Sequence, residues 1–431
     1  MGVNDSDSEE LTSSTSKMNL TMLQTIFVKT EPDLVIDSYE EAKGSGRGDN
    51  YTAALFRLSL KGHTRANDGK KKLRWERTVI CKRLPDCKIK REAFKSEALF
   101  RNEVEFYNTI MPEFVTFQKR KCNNTTTGGQ IFRAVPQCYL AQDDLIMLED
   151  LQVRGFSMPD RQAGLGMEQM RATLTELSKF HAVSLAYRKQ HPSEFSKLKA
   201  KVYEGVFSRA NAEWYKNYYD ILTRNAIEMV TQAIPEKVEY LDKLEGFLSD
   251  CFGNMVELVN EESKLSVICH GDCWTNNILY KYDDKGCISE TCFVDFQLIR
   301  YGSLALDLAY LIYCCTDASL RKENLQNWLR IYQQQLVKSL KLLGSFHDIC
   351  TDEADLWLQI NGEFKRYARF GLGTAMDMLP ISTCSSEEAP DLYASGSDSA
   401  ATPPELNVPP NELCRKKMTD IVLELVDGGM L

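Results

Sequence analysis

The residues best placed to do chemistry are His270-Gly271-Asp272-Cys273-Trp274-Thr275-Asn276-Asn277, followed after one short interval by Val294-Asp295-Phe296-Gln297. Asp272 precedes Asn277 by the interval that phosphotransferases use between a catalytic aspartate and a magnesium-binding asparagine. Asp295 stands where the second metal-binding carboxylate of such enzymes stands. Transfer of a γ-phosphoryl group needs positioning and charge neutralisation more than covalent help. A carboxylate at Asp272 suits the acceptor hydroxyl and its proton, and the oxygens of Asn277 and Asp295 suit magnesium, a hard cation. His270 is expected to hold the loop through hydrogen bonds rather than act as the base. Chance does not account for the joint pattern, although an isolated His-Gly-Asp would be a turn.

The elements that must position these residues are legible nearby. Ile278-Leu279-Tyr280, the turn Asp283-Asp284-Lys285-Gly286 and the run Thr291-Cys292-Phe293-Val294 read as two strands joined tightly. That hairpin would bring Asn277 and Asp295 close enough to share an ion.

Upstream, Gly44-Ser45-Gly46-Arg47-Gly48-Asp49-Asn50-Tyr51 lies between the strand-like runs Leu34–Ser38 and Ala53–Leu60. Gly44, Gly46, Gly48 and Asn50 fit a hairpin whose backbone N–H groups approach phosphates. The spacing G-x-G-x-G differs from that of protein kinases, and a plain flexible turn explains it equally. Thr78–Lys82 reads as a strand ending in a lysine that could contact phosphates, with a merely solvated charge as its rival. A helix over roughly Lys90–Met111 carries Phe94, Ala98, Phe100, Val104 and Tyr107 at helical spacing. From it Glu103 is the candidate ion-pair partner of Lys82, with Glu97 and Glu105 as competitors. Leu145–Leu151 reads as a buried strand running into a polar linker. Leu148, Glu149 and Asp150 would form the hinge whose backbone meets the adenine edge.

With these parts in order, the chain resembles the ecdysteroid-kinase-like proteins of arthropods, within the choline-kinase and aminoglycoside-phosphotransferase-like superfamily. The resemblance is carried by Gly46–Tyr51, Cys81–Pro85, Phe100–Tyr107, Leu148–Leu151, Phe180-His181-Ala182, His270–Asn277, Asp295–Gln297 and Gly302–Tyr310 with Asp307. It implies an α+β, bilobal protein-kinase-like fold, with a small strand-rich N-terminal lobe and a larger, mainly helical C-terminal lobe. It further implies ATP with Mg2+ and a small-molecule hydroxyl as acceptor, on an ecdysteroid or on a dietary or xenobiotic alcohol or phenol. Gln297 stands where protein kinases end Asp-Phe-Gly, and no Ala-Pro-Glu segment follows; both point away from protein substrates. Two other functions stay open: a choline- or ethanolamine-type kinase, which needs an anionic or aromatic cage, and a ligand-binding pseudokinase.

Composition bounds the rest. The 431 residues, 43% hydrophobic, can bury a large core in two lobes. A net charge of −9 argues against nucleic-acid binding. The 14 cysteines are scattered through apparent strands and helices with no signal peptide before them, which fits reduced thiols in a cytoplasmic protein. Cys269 and Cys273 read as packing residues. The longest apolar stretch, Leu304–Cys315, is interrupted by Asp307 and too short for a membrane span.

The expected organisation is a disordered tail over 1–17, an N-terminal, ATP-binding lobe over 18–150 opening with a short helix at Met18–Lys29, and a C-terminal lobe over 151–431. Arg120–Gly129 reads as a hairpin loop, and 387–410 as a mobile loop before a terminal helix, Glu412–Val426. Met170, Leu174, Leu177, Phe180 and Leu185 form a buried stripe beside which His181 reads as a bracing residue. Tyr203–Glu262 and Leu320–Leu343 read as further helices. Trp214, Tyr215, Tyr218 and Tyr219 either pack between helices or line an acceptor pocket. Phe364–Leu379, with Arg366, Arg369 and a turn at Gly371-Leu372-Gly373, offers another wall.

Overall fold

The computed structural model describes residues 18–44, 54–65, 72–84, 91, 95–122, 131–385 and 409–431. Gly46, Gly48, Asn50, the first 17 residues and nearly all of the 387–410 segment lie outside the described residues.

The N-terminal lobe is built on an antiparallel sheet. Helix α1 (Leu20–Phe27) is capped by the Asn19 side chain and lies on strands β1 (Leu34–Lys43), β2 (Ala54–Arg65) and β3 (Lys72–Arg83). Side chains alternate across a strand. Leu58 and Leu60 of β2 and Val79 and Cys81 of β3 therefore turn together towards Leu23 and Phe27 of α1. The same alternation sends Lys82 to the opposite face, towards the cleft.

Helix α2 (Ser96–Glu105) follows, buries Leu99, Phe100 and Val104, and passes through a π-helical turn, Phe106–Ile110, into α3 (Met111–Lys121). The helix expected to end at Met111 thus runs on to Lys121, because Phe114 and Phe117 continue its apolar face. Arg120 and Lys121, expected in a loop, are its last two residues, and 123–130 lie outside the described residues. The π turn inserts an extra residue per turn, as such turns often do near functional sites, and Phe106 stacks on Phe296 at 3.6 Å between ring centroids. Strands β4 (Cys138–Ala141) and β5 (Leu145–Glu149) complete the sheet in the order β1-β2-β3-β5-β4.

The rest of the chain is mainly helical, giving the bilobal α+β plan. Strand β6 (Phe156–Ser157) precedes α4 (Met167–Gln190), which carries the buried stripe of Met170, Leu174, Leu177, Phe180 and Leu185. Helices α5 (Pro192–Lys199), α6 (Ala212–Ala233), α7 (Val238–Leu248) and α8 (Cys251–Asn260) come next. Strand β7 (Ser266–Cys269) pairs with β10 (Arg300–Ser303), while β8 (Ile278–Tyr282) and β9 (Ile288–Phe293) form the expected hairpin beside β6.

Helix α9 (Leu304–Cys315) is buried throughout, and α10 (Ala318–Leu343), the short α11 (Phe346–Ile349) and α12 (Glu353–Thr383) follow. The Gly371-Leu372-Gly373 turn expected from sequence is instead helical, inside α12. A Cβ on Gly371 would lie 2.5 Å from the Tyr313 ring and 2.7 Å from the Ala309 carbonyl oxygen, so this glycine permits the close approach of α9. The terminal helix α13 (Glu412–Asp427) docks as expected, burying Met418, Ile421 and Leu425, with Arg321 paired to Glu424 at 2.7 Å. Among the described residues, no helix is long and apolar enough to cross a membrane.

Candidate active site

Strand β7 delivers the loop 270–277 from the core. Gly271 has φ +84°, and a Cβ there would sit 1.8 Å from the Leu298 carbonyl oxygen, so only glycine passes. Asp307, on α9, fixes the loop by its backbone. Its Oδ2 accepts the N–H of His270 at 2.7 Å and its Oδ1 that of Gly271 at 2.9 Å. His181 Nε2 donates to the same Oδ2 at 3.0 Å, and its Nδ1 meets the Tyr332 hydroxyl at 2.7 Å. Burial alone would raise the Asp307 carboxyl, but His181, then His270 and the Gly271 N–H, outweigh it and hold it below the usual carboxylate range.

The His270 ring braces the loop a second time. Its Nδ1 accepts the Asp272 N–H at 3.2 Å and its Nε2 donates to the Val294 carbonyl at 3.1 Å, an arrangement that requires the neutral ring protonated on Nε2. Burial lowers its pKa against the pull of Asp307 and Asp295. It lies within the loop rather than facing the cleft as a base.

Asp272 is 8% exposed. Tyr310, also on α9, donates its hydroxyl to Oδ1 at 2.8 Å, and Asn277 Nδ2 donates to Oδ2 at 2.9 Å and to the Asp272 carbonyl at 3.0 Å. Burial, then the charge of Asp295, pushes the Asp272 carboxyl up to about 7, against the two hydrogen bonds.

Asp295 follows β9 with φ 65°, a left-handed conformation that side chains other than glycine rarely adopt. Such strain costs on the order of 1–3 kcal/mol and collects at functional sites. Its Oδ1 meets Lys82 Nζ at 2.6 Å, and the same ammonium meets Glu103 Oε2 at 2.6 Å. Burial would favour loss of the Lys82 proton, but the charges of Asp295 and Glu103 outweigh it and hold the ammonium. Glu103, of the three candidates, is therefore the partner of Lys82. Glu97 instead lies near Arg91 and Glu105 pairs with Lys201.

The donor set fits a hard divalent cation. With Nδ2 of Asn277 donated to Asp272, its amide oxygen is left as the acceptor. The Val294 N–H bonds the Asn277 carbonyl at 3.0 Å, which ties the two segments together. A cation held by the Asn277 and Asp295 oxygens would relieve the repulsion that Asp295 exerts on Asp272.

The remaining sequence candidates divide. Gly44 N–H closes the β1–β2 pair on Leu55 at 2.9 Å; its companions Gly46, Gly48 and Asn50 are outside the described residues. Leu148 is buried in β5, Glu149 pairs with Arg154, and Asp150 pairs with Arg57 at 2.9 Å. These side chains are engaged, and the Glu149 N–H is bonded to the Gln137 carbonyl at 2.8 Å. Cys269 and Cys273 are buried, with thiols pushed well up by burial, as packing residues are.

Three contributors had no role assigned from sequence. Tyr310 stands one helical turn from Asp307, a spacing that could have pointed to it. Gln297 Oε1 lies 3.5 Å from Lys82 Nζ. Asn102, beside Glu103, donates to the carbonyls of Tyr203 at 2.7 Å and Gln297 at 3.0 Å and accepts the Tyr203 N–H at 2.9 Å. Nothing in the sequence marks that clamp.

On the acceptor side, the aromatic cluster of α6 packs largely between helices. Tyr215 lies parallel to Phe252 at 6.4 Å, and Tyr218 bonds Asp377 of α12. Burial raises the Asp377 carboxyl, and no ion pair neutralises it among the described residues. Its charge and that of Asp272 both reach Tyr310 and Cys314. Arg366, proposed from sequence as an acceptor wall, is instead turned to Glu261 at the end of α8.

Among known proteins, the model of the ecdysteroid kinase-like family matches residues 47–345. An uncharacterised oxidoreductase of Caenorhabditis elegans is 21% identical over 217 residues, 47% of this chain and 24% of its own, so the chain spans about a quarter of that relative. Among solved structures, Plasmodium vivax ethanolamine kinase is similar at 12% identity and TM-score 0.40, over 81% of this chain and 78% of that one. An ADP-bound aminoglycoside phosphotransferase is similar at 11% identity and TM-score 0.32, over 82% of this chain and 92% of its own.

Proposed function

From the premise that the chain belongs to the ecdysteroid kinase-like family, we propose that it is an ATP- and magnesium-dependent kinase of a small-molecule hydroxyl, on an ecdysteroid or a dietary or xenobiotic alcohol or phenol, acting in the cytoplasm. The observation that carries this proposal is the junction at Lys82, whose ammonium bonds Glu103 from the N-terminal lobe and Asp295 from the catalytic hairpin. Lys82 orients the phosphates and Glu103 holds Lys82. Asn277 and Asp295 would hold magnesium, which with ATP would supply charge neutralisation at the γ-phosphoryl group. Asp272 accepts the acceptor hydroxyl's hydrogen bond and takes its proton, with Tyr310 and Asn277 fixing the carboxylate. The backbone at 148–150 is the candidate contact for the adenine edge.

Asp377 favours a second acceptor class. A carboxylate without a cation partner, beside Trp214, Tyr215 and Tyr218, suits an amino alcohol of the choline or ethanolamine type.

The test is mass spectrometry of products after incubation with ATP, magnesium and a panel of ecdysteroids, phenols, glycosides, choline and ethanolamine. A product heavier by one phosphate, absent with Asp272→Asn, supports the kinase and identifies its acceptor class. Magnesium-dependent ATP binding with no product from any acceptor would favour the ligand-binding pseudokinase.

A further inference from the structure

Away from this cleft, helices α8 and α12 and the loop before α6 enclose a second cleft of about 860 Å³. Its rim carries Arg209, Arg366 and Arg369, with Glu257 and Glu261. Glu261 is engaged with Arg366, whose Nε donates to it at 2.8 Å. The side chains of Arg209 and Arg369 have no ion pair or hydrogen bond among the described residues, and that of Glu257 has no ion pair there. Two unpaired guanidinium groups and one unpaired carboxylate thus line the cleft, on a chain whose net charge is −9.

The two arginines are carried on a fixed base. Phe207 and Phe370, the neighbours of Ser208 and Arg369, meet edge to face at 5.7 Å between centroids. The buried guanidinium of Arg300 lies 5.5 Å from the first ring and 5.4 Å from the second, and is paired with Glu204 at 2.8 Å. This packing sets the spacing of the loop and α12 without help from a ligand.

We propose that this cleft is a binding site for a phosphomonoester. A carboxylate is satisfied by a single guanidinium fork. A tetrahedral dianion offers three terminal oxygens, enough for two forks. The volume is in the range of small-molecule sites, so the anion can carry an organic body. Glu257 repels the phosphate and leaves the arginine end as its seat. The inference does not depend on the catalytic assignment, since it concerns binding at a separate place.

The test is titration calorimetry of the full chain with phenyl phosphate, with anisole, which has neither charge nor a hydroxyl to phosphorylate, as the control. Wild-type protein is expected to bind phenyl phosphate but not anisole at this site. Lys82→Ala, which removes the cation of the nucleotide cleft, is expected to keep the binding. Arg209→Ala with Arg369→Ala is expected to weaken it at least about tenfold, with an unchanged melting temperature because both side chains are exposed. Lysine at both positions should restore it only in part, because the fork geometry is lost. Equal binding by the alanine pair, loss with Lys82→Ala alone, equal binding of anisole, or no binding at millimolar ligand would each overturn the proposal.

Discussion

Tyr310 donates its hydroxyl to Asp272 Oδ1 at 2.8 Å from the same helix that pins the loop through Asp307. The base candidate and its orienting groups therefore share one rigid, buried element. Removing the Tyr310 hydroxyl deletes a hydrogen bond to a charged group, worth about 1.5–3 kcal/mol. Tyr310→Phe is expected to lower kcat by roughly 10- to 100-fold with the KM for ATP little changed. Steady-state kinetics decides it: a rise in that KM with constant kcat would place the tyrosine in nucleotide binding instead.

Asp272→Asn keeps the shape and the Tyr310 contact but cannot take a proton. Turnover should fall by on the order of 10³-fold or more, while magnesium-dependent nucleotide binding, read by calorimetry, stays within about threefold. Turnover equal to wild type would remove Asp272 from the chemistry.

Glu103→Gln leaves Lys82 with Asp295 as its one carboxylate partner. The ammonium should be drawn towards Asp295 and away from the place proposed for phosphate. The expected result is a KM for ATP raised about tenfold or more, with a melting temperature no higher than wild type because a buried pair has lost one member. Unchanged KM would separate the ion pair from nucleotide binding.

Two contributions to stability should be lost on the acid side. His270 is neutral in the fold and its pKa is depressed, so its contribution is complete above the unfolded value of about 6.5 and declines as pH drops below it. Asp307 is depressed from the usual carboxylate value, so its contribution persists to lower pH and is lost below about 4. Asp272, pushed up to about 7, acts in the opposite sense between about 4 and 7, so the His270 contribution is read as a difference. The urea midpoint of wild type minus that of His270→Gln should be constant above about pH 7 and shrink below about 6.5. A difference that does not change with pH would show that His270 makes no such contribution.

If the acceptor is an amino alcohol, Asp377→Asn should raise the KM for that acceptor about tenfold and leave the KM for ATP and for any neutral acceptor unchanged. Equal effects on charged and neutral acceptors would indicate that Asp377 only shapes the pocket through Tyr218.

Much of the site could be read before any coordinates, and for definite reasons. Asp272, Asn277 and Asp295 lie within one loop and one hairpin, where local spacing dictates proximity. Lys82 and Glu103 were reachable because strand alternation and helical period fix which way each side chain turns. The glycines of α12 misled because glycine marks turns and close helix contacts alike, and only the presence of Tyr313 opposite Gly371 separates the two. Asp377 and the arginine cleft were out of reach for another reason. Each arises from helices far apart in the chain, and no local pattern records which helix faces which.

The clamp at Asn102 has a mechanical consequence. A side chain of the small lobe's own helix is bolted to Tyr203 and Gln297 of the large lobe. That helix therefore travels with the large lobe, like a hinge plate screwed to the frame rather than to the door. Any swing of the sheet away from the large lobe would stretch both bonds of Lys82, to Glu103 and to Asp295. Opening the door and unlatching it would then be a single movement.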